Sequence, residues 1–226
     1  QYPSMYGDGG WYSYSTQKYS IGTEEIAYLT MNPDDLQSVN TSAWWKYLSG
    51  ENPNYPVQAL RADLDQIRRK VQGMRSDETT PDTRLADDPM KYNPASIASL
   101  VRLMLGGLPT NKQGLVLHSR LRYFDPVTRR AGLPAHCAAL VEKLTGDSTT
   151  VTLVNTSPLE SHTVTIQAGA NAEHGFEYAE LGKQRTETNG RSVTVELAPG
   201  CGARITLKTN RYSQQPTFHF PWNRAE

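Results

Sequence analysis

The sequence predicts an α+β protein, with an N-terminal helical segment followed by an antiparallel β-sandwich of about eight strands. Two observations carry this. Apolar residues recur at helical spacing as far as Gly106-Gly107 and at alternate positions after it. The second half is also divided by short turn signals, with no helical stretch between them. The expected boundary separates a helical segment, residues 1–108, from a sandwich with an aromatic tail, residues 109–226.

Four helices are expected. Thr23 opens "TEEIAYLTM", and Ser42 opens "AWWKYLSG", which stops at Gly50. In "YPVQALRADLDQIRRKVQGM", Val57, Leu60, Leu64, Ile67, Val71 and Met74 alternate spacings of three and four. They form one continuous apolar stripe, with Asp65 and Arg69 paired on the wet side. The stripe is short for a coiled coil, so packing inside a helical domain is expected. In "NPASIASLVRLMLGG", Asn93 reads as N-cap, Pro94 as the first helical residue and Gly106 as the stop. Ile97, Leu100, Val101, Met104 and Leu105 share a face. Between these helices, Ser76 to Tyr92 is polar and proline-broken, and reads as a surface loop or linker.

The strands follow. "GLVLHSRLRYF" alternates up to the turn at Asp125-Pro126. "AALVEKL" and "TTVTLVNTS" flank a hairpin at Gly146, and "HTVTIQAG" comes next. "GFEYAEL" precedes "QRTETNGRSVTVEL", where Asn189-Gly190 is the strongest hairpin signal in the chain. "ARITLKT" closes the series. The tail "RYSQQPTFHFPWNRAE" is expected to lie across a surface, fixed by Phe218, Phe220 and Trp222.

Bulk properties remove several functions. The 226 residues carry a formal net charge of zero, which gives no electrostatic case for nucleic acid or an anionic membrane. No apolar run reaches the roughly 20 residues of a membrane span. Cys137 and Cys201 lack metal-ligand spacing; they either pair in an oxidising compartment or stay as buried free thiols, the second being favoured. Asn40-Thr-Ser and Asn155-Thr-Ser match the glycosylation acceptor pattern. No cofactor motif and no metal site is expected.

The most site-like stretch is "YGDGGWYSYSTQKYS". Its glycines permit a tight backbone around Asp8, and Trp11, Tyr12 and Tyr14 offer flat faces on which a sugar ring can stack. Glu24 and Glu25 follow. Glycoside hydrolysis uses two carboxylates roughly 5–10 Å apart, so Asp8, Glu24 and Glu25 are the candidate catalytic acids, with Asp87 or Asp88 as alternative members of the pair. The bland alternative gives Asp8 a turn, the glutamates a helix N-terminus and the aromatics a packing role. Asp82, Asp87 and Asp88 stand near Arg84 and Lys91, and read as an ion-paired loop rather than a calcium site. Arg120, Arg122, Arg129 and Arg130 are expected to pair with acids. His162 and His174, at opposite ends of a strand about 20 Å long at about 3.3 Å per residue, could share a metal only if the chain after Gly169 doubled back along the whole strand. Glu173 and His174, being adjacent, are expected to face opposite ways.

"LVNTSPLESHTVTIQAGANAEH" and "LAPGCGARITLKTNRYSQQPTFHFPW" resemble the C-terminal β-domain of large bacterial secreted proteins, which resemble the six-hairpin (α/α)-toroid glycosidases. "IRRKVQGMRSDETTPDTRLADDPMKYNPASI" is similar to the last helices before that domain. The resemblance implies a secreted or periplasmic bacterial protein. It also implies many more helices than four: the rest removed, supplied by another chain, or replaced by a small cap. The first function expected is a fragment or subunit of a carbohydrate-active-like protein, with the sandwich as accessory domain, a possible saccharide ligand and another protein body on the helices. The second is a non-catalytic subunit of a larger assembly. The third is a stand-alone glycoside hydrolase or related enzyme with its site near Asp8.

Overall fold

A computed structural model describes residues 23–39, 42–80, 93–110 and 117–224. Among these residues five α-helices come first: α1 (Thr23–Thr30), α2 (Pro33–Gln37), α3 (Ala43–Leu48), α4 (Tyr55–Arg75) and α5 (Ala98–Leu105). Nine strands follow: β1 (Leu121–Asp125), β2 (Arg130–Ala131), β3 (Cys137–Leu144), β4 (Ser148–Asn155), β5 (His162–Ala168), β6 (Gly175–Leu181), β7 (Gln184–Gly190), β8 (Ser192–Leu197) and β9 (Gly202–Asn210). They build two antiparallel sheets, ordered β2-β1-β5-β8 and β3-β4-β9-β6-β7. The α+β class and the sandwich are as the sequence predicts.

Alternation places Val164, Ile166 and Ala168 of one sheet against Val151, Leu153, Ile205 and Leu207 of the other, all buried in one core. On β3 the parity changes. Ala139 and Val141 face inward, but the next inward residue is Leu144. A register shift between Val141 and Lys143 accounts for it, since one extra residue moves the following side chains to the opposite face. The shift leaves Glu142 outside, accepting from Thr152 Oγ1 at 2.5 Å and Arg204 Nε at 2.6 Å.

The helices share this core. Ala27 and Tyr28 of α1 and Trp44, Trp45 and Leu48 of α3 belong to the same buried cluster. Gly106 ends α5 in the left-handed region at φ 57°, and its carbon face sits against β3. A methyl there would lie 3.2 Å from side-chain carbons of Val141 and Leu144.

Several local expectations fail. Asn93 does not cap α5: its Oδ1 accepts from Ala95 N at 2.9 Å in a turn, and the helix begins at Ala98. Such side-chain turns compete with helix initiation. Asn189-Gly190 does not join a hairpin: β7 pairs with β6, whereas β8 pairs with β5 in the other sheet. Asn189, at φ 42°, turns a corner between sheets. The tight hairpin is one step earlier, where Leu181 faces Gln184. Among the described residues, the stretch before Leu121 forms only an isolated bridge, Leu108 to His118. Asp65 approaches Arg68 at 3.4 Å, not Arg69.

The apolar stripe departs most. α4 spans 21 residues and buries none of them. Val57, Leu60, Leu64 and Met74 are 53, 44, 45 and 49% exposed, and Ile67 and Val71 are half-buried. The side of α4 turned to the protein overlaps the stripe at Ile67 and Val71. It carries half-buried Ala59, Asp63 and Lys70, with Lys70 Nζ donating to the Asn93 carbonyl at 2.7 Å. Among the described residues the stripe is therefore only partly covered, with Val57, Leu60, Leu64 and Met74 left exposed.

The C-terminal segment crosses the outer face of the four-stranded sheet. Phe220 and Trp222 stack at 5.0 Å and both meet the ring of Phe124 edge-on, at 5.8 and 6.0 Å. Phe218 takes no part in fixing the tail, being 89% exposed.

Candidate functional site

Two places gather polar chemistry: the junction between α1 and the sandwich, and a cleft beneath the C-terminal tail. The junction holds the sequence-predicted acids. Glu24 and Glu25 lie in the first turn of α1, but they turn to different partners. Glu24 Oε2 accepts from Arg102 Nη2 at 2.9 Å, and Glu25 Oε1 lies 2.9 Å from His118 Nε2. Each carboxylate is thus engaged at the edge of the core rather than aimed with the other across an open site. Asp8, Trp11, Tyr12 and Tyr14 lie outside the described residues, as do Asp82, Asp87 and Asp88.

Deeper in the junction, Arg120 is 1% exposed. Its guanidinium carbon lies 5.1 Å from the centroid of the Tyr28 ring. None of its three nitrogens has a hydrogen-bond partner. Burial lowers its pKa, the Tyr28 phenol beside it opposing. The expected pairing of this arginine with an acid is therefore wrong; a ring face receives it instead. Arg122 likewise rests 5.1 Å from the Phe124 ring and donates to the Ala170 carbonyl at 3.0 Å. Arg120 is buried against Tyr28 and Arg122 is engaged on Phe124, so these two do not join Arg129 and Arg130 in a basic patch.

His174 is 2% exposed. Its Nδ1 accepts from Tyr212 N at 2.9 Å, which leaves the proton of the neutral ring on Nε2. Burial, with Arg120 and Arg211 near, depresses its pKa to about 4. His162 stacks instead on His136 at 6.3 Å, and among the described residues no group of three potential metal ligands converges. The two histidines thus engage different partners. Glu173 and His174 do not face opposite ways: Glu173 Oε1 lies 3.9 Å from His174 Nε2. The segment is a turn rather than a strand, with the Glu173 carboxylate accepting from the backbone N–H of Ala170 and Asn171. Gly169 makes this possible. It has φ +90°, and a Cβ there would lie 2.5 Å from the Glu173 carboxyl carbon.

The remaining sequence signals resolve plainly. Cys137 and Cys201 are free, but Cys201 is exposed and Cys137 half-buried, so neither is a core thiol. Asn155 cannot serve as a glycosylation acceptor. It is 1% exposed, and its Nδ2 donates to the carbonyls of Glu160, Leu197 and Ala198. Asn40 lies outside the described residues.

The second place is a cleft of about 600 Å³ between the β7–β8 corner and the tail. One wall is Thr188 to Ser192; the other runs from Gln214 to Pro221, with Arg224 at one end. The tail is pinned at both rims. Arg191 Nη1 donates to the Gln215 carbonyl at 2.8 Å, Gln214 N to Glu173 O at 3.2 Å and Thr217 N to Asn171 O at 2.8 Å. Arg224 hydrogen-bonds Gln167 Oε1 and the His219 carbonyl. Sequence reasoning missed this cleft. Its walls come from segments about two dozen residues apart, and no local motif joins them.

A family model described as a domain of unknown function (DUF8034) matches residues 25–101, the helical part that contains α4. No curated protein and no solved structure matches the chain.

Proposed function

We propose that this chain is the accessory, stabilising part of a larger, secreted, bacterial, carbohydrate-active-like protein. The β-sandwich braces a short helical segment, and that segment packs on a larger helical body. The observation that carries this reading is the α4 stripe. Six apolar residues from Val57 to Met74 run along a helix that buries none of its residues. They span roughly 26 Å at about 1.5 Å per residue. An exposed apolar face of that length marks a contact surface. Its occupant in this reading is a helix of the larger body, which the resemblance of the α4 region to the last helices before a β-domain supports. The engagement of Glu24 by Arg102 and of Glu25 by His118 supports an accessory role over a catalytic one. A structural subunit of a non-enzymatic assembly is the alternative, and it differs only in what covers the stripe.

Hydroxyl-radical footprinting tests this on the isolated chain and on the particle purified from its natural source. Leu64 and Met74 are expected to react readily in the isolated 25.2 kDa chain and to be protected in a heavier native particle whose added mass is helical polypeptide. A native particle of the chain's own mass, with both residues still reactive, overturns the proposal.

A further inference from the structure

We propose that the cleft under the C-terminal tail is a binding site for an acidic saccharide, a sugar unit bearing a carboxylate. The saccharide class rests on the function proposed above; the site rests on the cleft alone.

The first argument is architectural. The chain turns a corner between the two sheets at Asn189, and the tail is tied down on both sides of the resulting hollow by backbone and arginine hydrogen bonds. At about 600 Å³ the hollow falls within the size range of small-molecule sites.

The second argument is chemical. No carboxylate is among the lining residues, while Arg191, Arg224 and His219 are. Arg191 spends a single N–H on the Gln215 carbonyl, so its remaining donors are available. The large rings of the tail matter too: Phe220 and Trp222 are committed to Phe124 and are not among the lining residues. Recognition must then come from hydrogen bonds and charge. Arginine suits a carboxylate, which it can hold with two parallel bonds. The amide and hydroxyl groups of Asn189, Gln214 and Ser192 suit ring hydroxyls. Neutral groups outnumber cations among these, which favours a sugar acid over an acidic peptide, whose successive charges would call for more arginine and lysine.

Isothermal titration of the full chain with a trigalacturonate, a neutral trisaccharide and tri-glutamate provides the test, together with Arg191→Gln and Gln214→Ala. Trigalacturonate is expected to bind with a Kd below about 1 mM, and the neutral trisaccharide about tenfold more weakly or not at all. Each substitution is expected to weaken trigalacturonate about tenfold. Gln214→Ala removes a side chain with no hydrogen bond to the rest of the described protein, so it reports on the ligand even if Arg191→Gln loosens the tail. Circular dichroism confirms that both variants fold. Absence of trigalacturonate binding, binding untouched by both substitutions, or equal or tighter binding of tri-glutamate overturns the proposal. None of these outcomes alters the footprint of the α4 stripe, so the two proposals fail separately.

Discussion

The sandwich and helix α4 solve the problem of apolar surface in opposite ways. In the sandwich, Val151, Leu153, Val164 and Ile166 have no exposure at all, and every long strand finds neighbours within the chain. On α4, four large apolar side chains keep about half of their surface in water. Both regions have a regular apolar pattern, one of period two and the other of period 3.6. Pattern thus states that a face is to be covered, but not by what. The sandwich is covered by itself, and α4 keeps its face outward.

The largest expected effect lies inside the sandwich. Ile166→Ala should lower unfolding free energy by about 2–5 kcal/mol, since a buried side chain leaves both lost transfer energy and a cavity. Urea denaturation followed by circular dichroism measures it, and a change below about 1 kcal/mol would remove the contrast between the two regions.

An effect of similar scale is expected from His174. Its folded pKa of about 4 lies below the ordinary 6.5 or so, so the unfolded chain takes up a proton that the folded chain refuses between these values. Stability should hold above about pH 6.5, fall as pH drops toward 4 and level off below it, by about 3 kcal/mol in all. His174→Asn, whose amide oxygen can accept from Tyr212 N in place of Nδ1, should flatten that limb of the profile. Unfolding midpoints measured from pH 7 to 4 decide; parallel profiles for the two proteins would assign the acid sensitivity elsewhere.

The smallest effect sharpens the comparison most. Leu64→Ala in the isolated chain should change stability by about 0.5 kcal/mol or less, as for a surface site, against several for Ile166→Ala. A loss as large as that of Ile166→Ala would mean that the stripe is part of this chain's own core.

What the sequence makes legible is whatever a short window decides. Gly106 as a helix stop, Asp125 as a turn former and Gly146 in the β3–β4 hairpin depend on residues a few positions apart. Asp125 indeed accepts from Val127 N and from both the N–H and the hydroxyl of Thr128. The corner at Asn189-Gly190 looks the same locally as a hairpin, because the same left-handed residue serves both; only the pairing of β8 with β5 distinguishes them. Glu24 and Glu25 could be seen as candidate acids, but their partners Arg102 and His118 are 78 and 93 residues away. Arg120 reads as surface by residue type, and its burial follows from the ring of Tyr28 arriving from α1. The cleft was illegible for the same reason, its walls being brought together by the tail.

Arg211 has a consequence for the order in which the molecule can be completed. Helix α1 has no basic residue in its last turn. Its terminal carbonyls, those of Tyr28, Leu29 and Thr30, receive instead the guanidinium of Arg211, which also answers the negative end of the helix. The bond to Leu29 closes a loop of 182 residues. Arg211 follows the last strand, so an emerging chain makes its first described helix early and fastens it only after β9 has been synthesised.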